Sequence, residues 1–141
     1  MEADDLVGAV NKAMERTAYD HFDVFTIHRG CYILNHWGYR PVLSYPKYVK
    51  GPYSYDIRKY DSTRTDISDD VIDRLGRILK DERYSIAYCL LLLIRKVNPD
   101  ISVIGVLRKA KESSPSLMDK VWVAYHDLFD ELRCAGMRVH M

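Results

Sequence analysis

Tyrosines and basic residues are concentrated in one stretch of the chain, residues 39–64. Six of the eleven tyrosines lie there. The stretch also contains six Lys or Arg residues and only two Asp, so its charge is +4 and that of the rest of the chain is −3. Cationic side chains bind phosphates, and tyrosines add hydroxyl donors and stacking faces, which favours a polyanion such as DNA. A hairpin that packs on helices and leaves its charges in solvent is the other interpretation. The basic residues are Arg40, Lys47, Lys50, Arg58, Lys59 and Arg64.

A glycine-proline pair inside this stretch, Gly51-Pro52, predicts a turn, because glycine adopts backbone conformations that other residues avoid. The turn directs Tyr53 and Ser54 out of an extended segment, and Ser54 is a good helix N-cap. Two interpretations of Tyr53 and Ser54 stay open. They contact a ligand beside the basic residues, or they belong to a purely structural turn.

Potential metal ligands and nucleophiles are present without the spacing that their chemistry needs. His28 and Cys31 lie one helical turn apart, but no second Cys pair completes the four ligands of a zinc site. The sequence has no Gly-x-Ser-x-Gly elbow and no phosphate-binding loop motif. We therefore predict no metal, no cofactor and no catalytic residue, with His28 and His36 at the surface or paired with nearby acids.

A second candidate surface lies near the C-terminus, where Met118, Trp122 and Tyr125 follow helical spacing. An exposed Trp on such a face suits contact with a second copy or another protein. Packing in the core is the alternative.

The chain has 141 residues, which is enough for one domain with its own core. A net charge of +1 excludes a strongly basic nucleic-acid binder of the histone kind and an acidic disordered protein. Cys31, Cys89 and Cys134 are too few and too far apart for a secreted disulfide framework. The acidic N-terminus is unlike a signal peptide, and the longest uncharged run, Tyr84 to Ile94, is too short to span a membrane. We expect a soluble, cytoplasmic protein.

Helices must position most of these residues. Apolar residues recur three or four apart in five segments, and a sixth is apolar almost all round. The segments are 6–14, 24–34, 71–79, 84–96, 103–110 and 117–132. Predicted helix starts are Asp4 or Asp5, Asp20, Ser68, Asn98-Pro99 and Ser114-Pro115, and predicted stops are Gly38 and Gly136.

Three prolines between residues 39 and 55 exclude a long helix there. We predict extended segments over Val42–Tyr45 and Lys47–Lys50, followed by a helical turn over Asp56–Tyr60 that Ser54 caps. The expected fold is mainly α with a short β-hairpin, a winged-helix-like domain with a C-terminal helical extension. It forms a single domain over residues 1–141, with the helices and hairpin in 1–65 and the extension in 66–136.

The segment Lys47-Tyr-Val-Lys-Gly-Pro-Tyr-Ser54 resembles the Tyr-Lys-Tyr-Gly-Pro-Tyr-Ser motif of a family of small prokaryotic proteins. These are called YwgA-like or winged-helix-like, and the Panacea antitoxin-associated domains are more distant relatives. The resemblance extends over about residues 20–132, including Cys31-Tyr-Ile-Leu34 before Gly38 and the later Ser-Pro junction. The chain differs at Val49-Lys50 and at Ile27-His28-Arg29. The resemblance implies a winged-helix-like fold and DNA-binding or regulatory roles without catalysis.

The sequence thus favours a non-enzymatic, DNA-binding or transcription-regulator-like protein that uses a basic, tyrosine-rich wing. The alternative is a protein-interaction module, antitoxin-like or adaptor-like, whose tyrosine-rich segment meets an acidic protein. A small enzyme of unrecognised class is the third possibility. No membrane contact is expected, and a homodimer is compatible with the surface around Trp122.

Overall fold

The computed structural model describes residues 2–17, 23–48 and 51–134, with residues 47–48 and 129–134 described by their backbone only. This part of the chain is mainly helical, which confirms the predicted class. It contains one pair of two-residue strands and a 3-10 turn over Pro115–Leu117. In chain order the elements are α1 (Ala3–Thr17), α2 (Val24–His36), β1 (Lys47–Tyr48), β2 (Pro52–Tyr53), α3 (Asp69–Leu79), α4 (Glu82–Val97), α5 (Val103–Ser113) and α6 (Met118–Cys134).

The chain divides into two compact units, Met1–Ser85 and Ile86–Met141. In the first unit α1 packs against α2 and α3. Leu6 and Val10 of α1, Ile27 of α2 and Leu75 of α3 are fully buried there. Each such side chain contributes about 1.5–3 kcal/mol by leaving water. The exposed ion pairs of Arg16 with Asp69 and Asp73 join α1 to α3 but add little, since solvent screens them.

Both ends of α2 follow from local residue chemistry. Asp23 is the N-cap, and its carboxylate accepts the N–H of Thr26 at 3.0 Å. The predicted cap, Asp20, lies outside the described residues. Gly38 has φ +96° just beyond the helix, and the N–H of Tyr39 donates to the carbonyl of Leu34. A left-handed residue after the last turn ends a helix in this way, so the predicted stop at Gly38 is confirmed.

One side chain organises the loop that leaves α2. The amide nitrogen of Asn35 donates to the carbonyls of Tyr39 and Pro41, at 2.9 and 2.8 Å. Its oxygen accepts the N–H of Leu43 at 3.0 Å and the hydroxyl of Tyr45 at 3.1 Å. The predicted extended segment Val42–Tyr45 does not pair as a strand, because Asn35 supplies the bond that a neighbouring strand would otherwise make to Leu43.

The hairpin is antiparallel, with Lys47 opposite Tyr53 and Tyr48 opposite Pro52. Its turn contains Gly51 with φ +111°, a conformation that L side chains rarely adopt. Of the predicted turn Gly51-Pro52, Gly51 therefore lies in the connection between the two strands and Pro52 begins β2. The second strand follows the glycine instead of preceding it.

The segment after the hairpin lies along α1 and is not helical. The Asn11 amide donates to the carbonyls of Tyr60 and Ser62, at 2.9 and 2.7 Å. A side chain at Gly8 would collide with the carbonyl of Arg64, so the two backbones touch there. The predicted helical turn over Asp56–Tyr60 is wrong, because the chain makes only a short turn at residues 55–56, which the hydroxyl of Ser54 closes by accepting the N–H of Asp56.

The second unit contains α5, α6 and most of α4. Asn98 ends α4 with its N–H on the carbonyl of Ile94, so the predicted helix start at Asn98-Pro99 is wrong. Ser102 caps α5 instead, and its hydroxyl accepts the N–H of Gly105 at 3.1 Å. Ser114-Pro115 does begin a turn that leads into α6, as predicted. Gly136 lies outside the described residues.

The uncharged run in α4 is largely buried, including Tyr88, Cys89 and Leu91. Ile104 of α5, which lies in the predicted apolar segment 103–110, is 66% exposed. Within the described ranges, no helix combines the length and the apolar character that a membrane crossing requires.

Candidate nucleic-acid interface

The imidazole of His28 lies at the centre of the contact between α2 and the hairpin, and it is fully buried. The N–H of Ser54 donates to Nδ1 at 3.0 Å, and Nε2 lies 3.0 Å from the hydroxyl of Tyr60. Because Nδ1 accepts, the ring proton is on Nε2 and is donated to Tyr60. One side chain of α2 thereby holds both the end of the hairpin and the segment that follows it.

The expectation that His28 lies at the surface or pairs with an acid is wrong. Burial lowers the pKa of His28 to about 4, so the ring is neutral at pH 7. Its position held a signal that the sequence analysis missed, since His28 is four residues after Val24 and three before Cys31, on the apolar face of α2. His36, by contrast, is exposed.

Aromatic rings continue from His28 towards the surface. The ring of Tyr53 stacks on His28 with centroids 4.1 Å apart and an interplanar angle of 21°. Tyr55 meets Tyr53 in a T-shaped contact at 5.6 Å, and its side chain is 55% exposed. Phe25 flanks Tyr53 at 6.1 Å. Tyr55 is therefore the exposed member of an array whose inner member is buried.

Arg29 of α2 packs against the turn of the hairpin at Gly51. Its side chain is almost completely buried, and its guanidinium donates to the hydroxyl of Thr26 at 3.2 Å. A Cβ on Gly51 would lie 3.4 Å from Cγ of Arg29. His28 and Arg29 thus form a platform on α2, and the hairpin rests on it.

Ser54 is fully buried, with both of its polar groups engaged inside the protein. Its N–H is bound to His28, and its hydroxyl accepts the N–H of Asp56 at 3.2 Å. The hydroxyl therefore closes a short turn and caps no helix. A ligand has no access to Ser54 in this conformation, and half-buried Tyr53 presents its ring to His28. For these two residues the geometry favours the structural interpretation.

Arg40, Arg58 and Lys59 are exposed, and we call them the basic surface. None of the three forms an ion pair with another residue that the structure describes. Two carboxylates lie close to Arg58 and Lys59 along the chain. Asp56 accepts the N–H of Ser44 at 2.9 Å, and Asp61 is exposed. The side chain of Lys47 and the whole of Lys50 lie outside the described part.

Arg64 is also exposed, but its surroundings are acidic. It lines an open cavity of about 560 Å³ beside the start of α1. Negative potential from four carboxylates there disfavours a phosphate, so Arg64 is set apart from the basic surface. The other charged residues of the lining are Glu2, Asp4, Asp5, Lys12 and Asp66.

The second predicted surface lies on α6. Trp122 is 52% exposed and so is its neighbour Val123, whereas Met118 and Tyr125 are half-buried. Trp122 is thus the residue of the predicted set that α6 presents most openly to solvent.

Among the described residues, no group of three or more His, Cys, Asp or Glu side chains is placed to hold a metal ion. Cys31 is buried, and burial raises the pKa of its thiol well above the usual value. That thiol is protonated at neutral pH and is a poor ligand or nucleophile.

Comparison with known proteins found no matching family model, no similar curated protein and no similar solved structure. The resemblance in the Gly-Pro-Tyr-Ser segment stays a prediction. Function is therefore inferred from the chemistry of the two surfaces.

Proposed function

We propose that the protein binds DNA without catalysis through the basic surface, as a winged-helix-like or regulator-like protein. The observation that supports this most directly is the exposure of Arg58 and Lys59, which follow by five and six residues a hairpin that His28 holds to α2. Cations on a supported segment lose less freedom on binding than cations on a free loop. As part of this proposal, the hairpin acts as the wing of a winged-helix-like domain.

The charge distribution suits moderate affinity. The net charge is only +1, so attraction to phosphates must come from the local excess in residues 39–64. Sequence-independent binding of this kind has dissociation constants of roughly 10⁻⁴–10⁻⁶ M at physiological salt. If three phosphates are neutralised, affinity falls about 40-fold between 50 and 200 mM salt.

The test is fluorescence anisotropy of labelled DNA with the purified protein at these two salt concentrations. The double variant Arg58→Glu/Lys59→Glu should lose binding at the lower salt. Its matched control is Arg108→Glu/Lys109→Glu, which makes the same charge change at two exposed, adjacent residues of α5. Equal loss in both double variants would point to net charge alone. Absence of binding by the wild-type protein would reject the proposal.

A protein-interaction module is the second candidate, because Trp122 and Val123 are adjacent and half exposed on α6. Aromatic residues of this kind dominate many protein interfaces. Sedimentation velocity over a range of concentrations tests a homodimer, and Trp122→Ser should abolish any self-association. If the protein is monomeric and Trp122→Ser changes nothing, a second copy does not use this face.

A further inference from the structure

We infer that the nucleic acid at this site is single-stranded, with Tyr55 stacking on an unpaired base while Arg58 and Lys59 bind the adjacent phosphates. This inference rests on the proposed function and names its ligand more narrowly. It assigns a role to Tyr55, which the sequence analysis counted among the tyrosines but did not place in the site.

Support behind the ring is the first reason. Tyr55 is 55% exposed, and Tyr53, which it contacts at 73°, is itself stacked on buried His28. Because Tyr55 is more than half exposed, a large part of its side chain remains accessible to a base. The ring is thus positioned before any ligand arrives.

The position of the cations is the second reason. Arg58 and Lys59 follow Tyr55 by three and four residues, so their Cα atoms lie at most about 14 Å away. Both side chains are exposed and long enough to approach the same ligand from that distance. Of the two nearest carboxylates along the chain, Asp56 accepts the N–H of Ser44 and Asp61 is exposed.

Base stacking is the reason why we expect a single strand and not a duplex. In a duplex each base stacks on its neighbours, so its faces are not available to a tyrosine on a turn. An unpaired base offers a face to an aromatic ring, and adjacent cations meet the backbone, which is how proteins bind single strands without sequence preference. The basic surface alone would accept either form, and Tyr55 adds the discrimination.

The test measures the anisotropy of a labelled single strand and of its duplex of equal length. We expect the wild-type protein to favour the single strand. Tyr55→Ala should weaken single-strand binding about 5- to 100-fold, as expected for loss of one stacked base, with little effect on the duplex. Tyr55→Phe keeps the ring and should bind normally. Ile104→Ala is the control for loss of an exposed apolar side chain elsewhere.

An abasic strand supplies a second readout that does not depend on the variant. Its phosphates are intact and its bases are missing, so the wild-type protein should bind it as weakly as Tyr55→Ala binds the normal strand. The two losses should not add, because both remove the same contact.

The outcomes separate this inference from the proposed function. If Tyr55→Ala binds both forms as the wild type does, or weakens both equally, stacking by Tyr55 is rejected. The basic surface still stands in that case, provided that Arg58→Glu/Lys59→Glu abolishes binding. If neither form binds the wild-type protein, the proposed function fails and this inference fails with it.

Discussion

The hairpin of the first unit and α6 of the second each present one large aromatic side chain to solvent, to nearly the same extent. Tyr55 is 55% exposed and Trp122 is 52% exposed. They differ in their surroundings, because Tyr55 contacts an aromatic array and precedes two exposed cations, whereas Trp122 is followed by an exposed valine. Exposure alone therefore does not indicate a ligand. The neighbouring cations are the reason for proposing a polyanion at Tyr55, and the neighbouring valine is the reason for proposing a protein partner at Trp122.

The largest effect should come from removing the imidazole that holds the hairpin. His28→Phe keeps an aromatic ring but leaves the buried N–H of Ser54 without its acceptor and removes one partner of the half-buried Tyr60 hydroxyl. A buried polar group left unsatisfied costs about 1–3 kcal/mol, so the free energy of unfolding should fall by at least this amount. Urea denaturation measures this change. A loss as small as that of an ordinary surface substitution would show that the hairpin does not depend on His28.

Lowering the pH should reproduce part of the loss in unfolding free energy that His28→Phe causes. The pKa of His28 is about 4 in the folded protein and near 6.5 when unfolded, so the unfolded chain binds the extra proton first. The contribution of His28 is therefore complete above pH 6.5 and is lost as the pH falls through 4. At pH 5 the unfolding free energy should be about 2 kcal/mol below its value at pH 8.

The described hydrogen-bond partners of the His28 ring are the N–H of Ser54 and the hydroxyl of Tyr60, and neither is a carboxylate. Other groups also titrate here, so the comparison is between the wild type and His28→Phe. If the two proteins lose stability equally between pH 8 and pH 5, His28 does not carry the effect.

A smaller loss is expected from Gly51→Ala, which places a side chain at φ +111° and 3.4 Å from Cγ of Arg29. Backbone strain of this kind costs about 1–3 kcal/mol. Gly38→Ala is the matched control, because Gly38 has φ +96° and no atom near the position of the added methyl group. Both variants strain the backbone, and only Gly51→Ala adds a contact with Arg29, so comparing their thermal unfolding separates the two effects. If Gly38→Ala is the more destabilising, Arg29 does not restrict the turn.

The smallest effect should come from Trp122→Ser on α6. Replacing an exposed side chain away from the core changes stability by about 0.5 kcal/mol or less. The melting temperature should therefore barely move, in contrast with His28→Phe. A loss of several degrees would show that Trp122 supports its own unit and is not a surface kept open for a partner.

Helix positions followed well from the sequence, because apolar spacing and caps act over one or two turns. α3 begins after Ser68 and α2 ends before Gly38, as these local signals indicate. The hairpin was harder to place, since its end is held by His28, which lies on a separate helix. Tyr55 was missed for a related reason. Its neighbours in sequence are also tyrosines, and only tertiary contacts show which ring is exposed.

The four hydrogen bonds of Asn35 use the full capacity of its amide, two as donor and two as acceptor. The loop after α2 therefore becomes ordered only after α2 has formed, because the helix holds the Asn35 amide in place. Opening should be coupled in the same way. In hydrogen exchange, the amide proton of Leu43 should be released together with those of the last turn of α2, although Leu43 itself lies in no helix or strand.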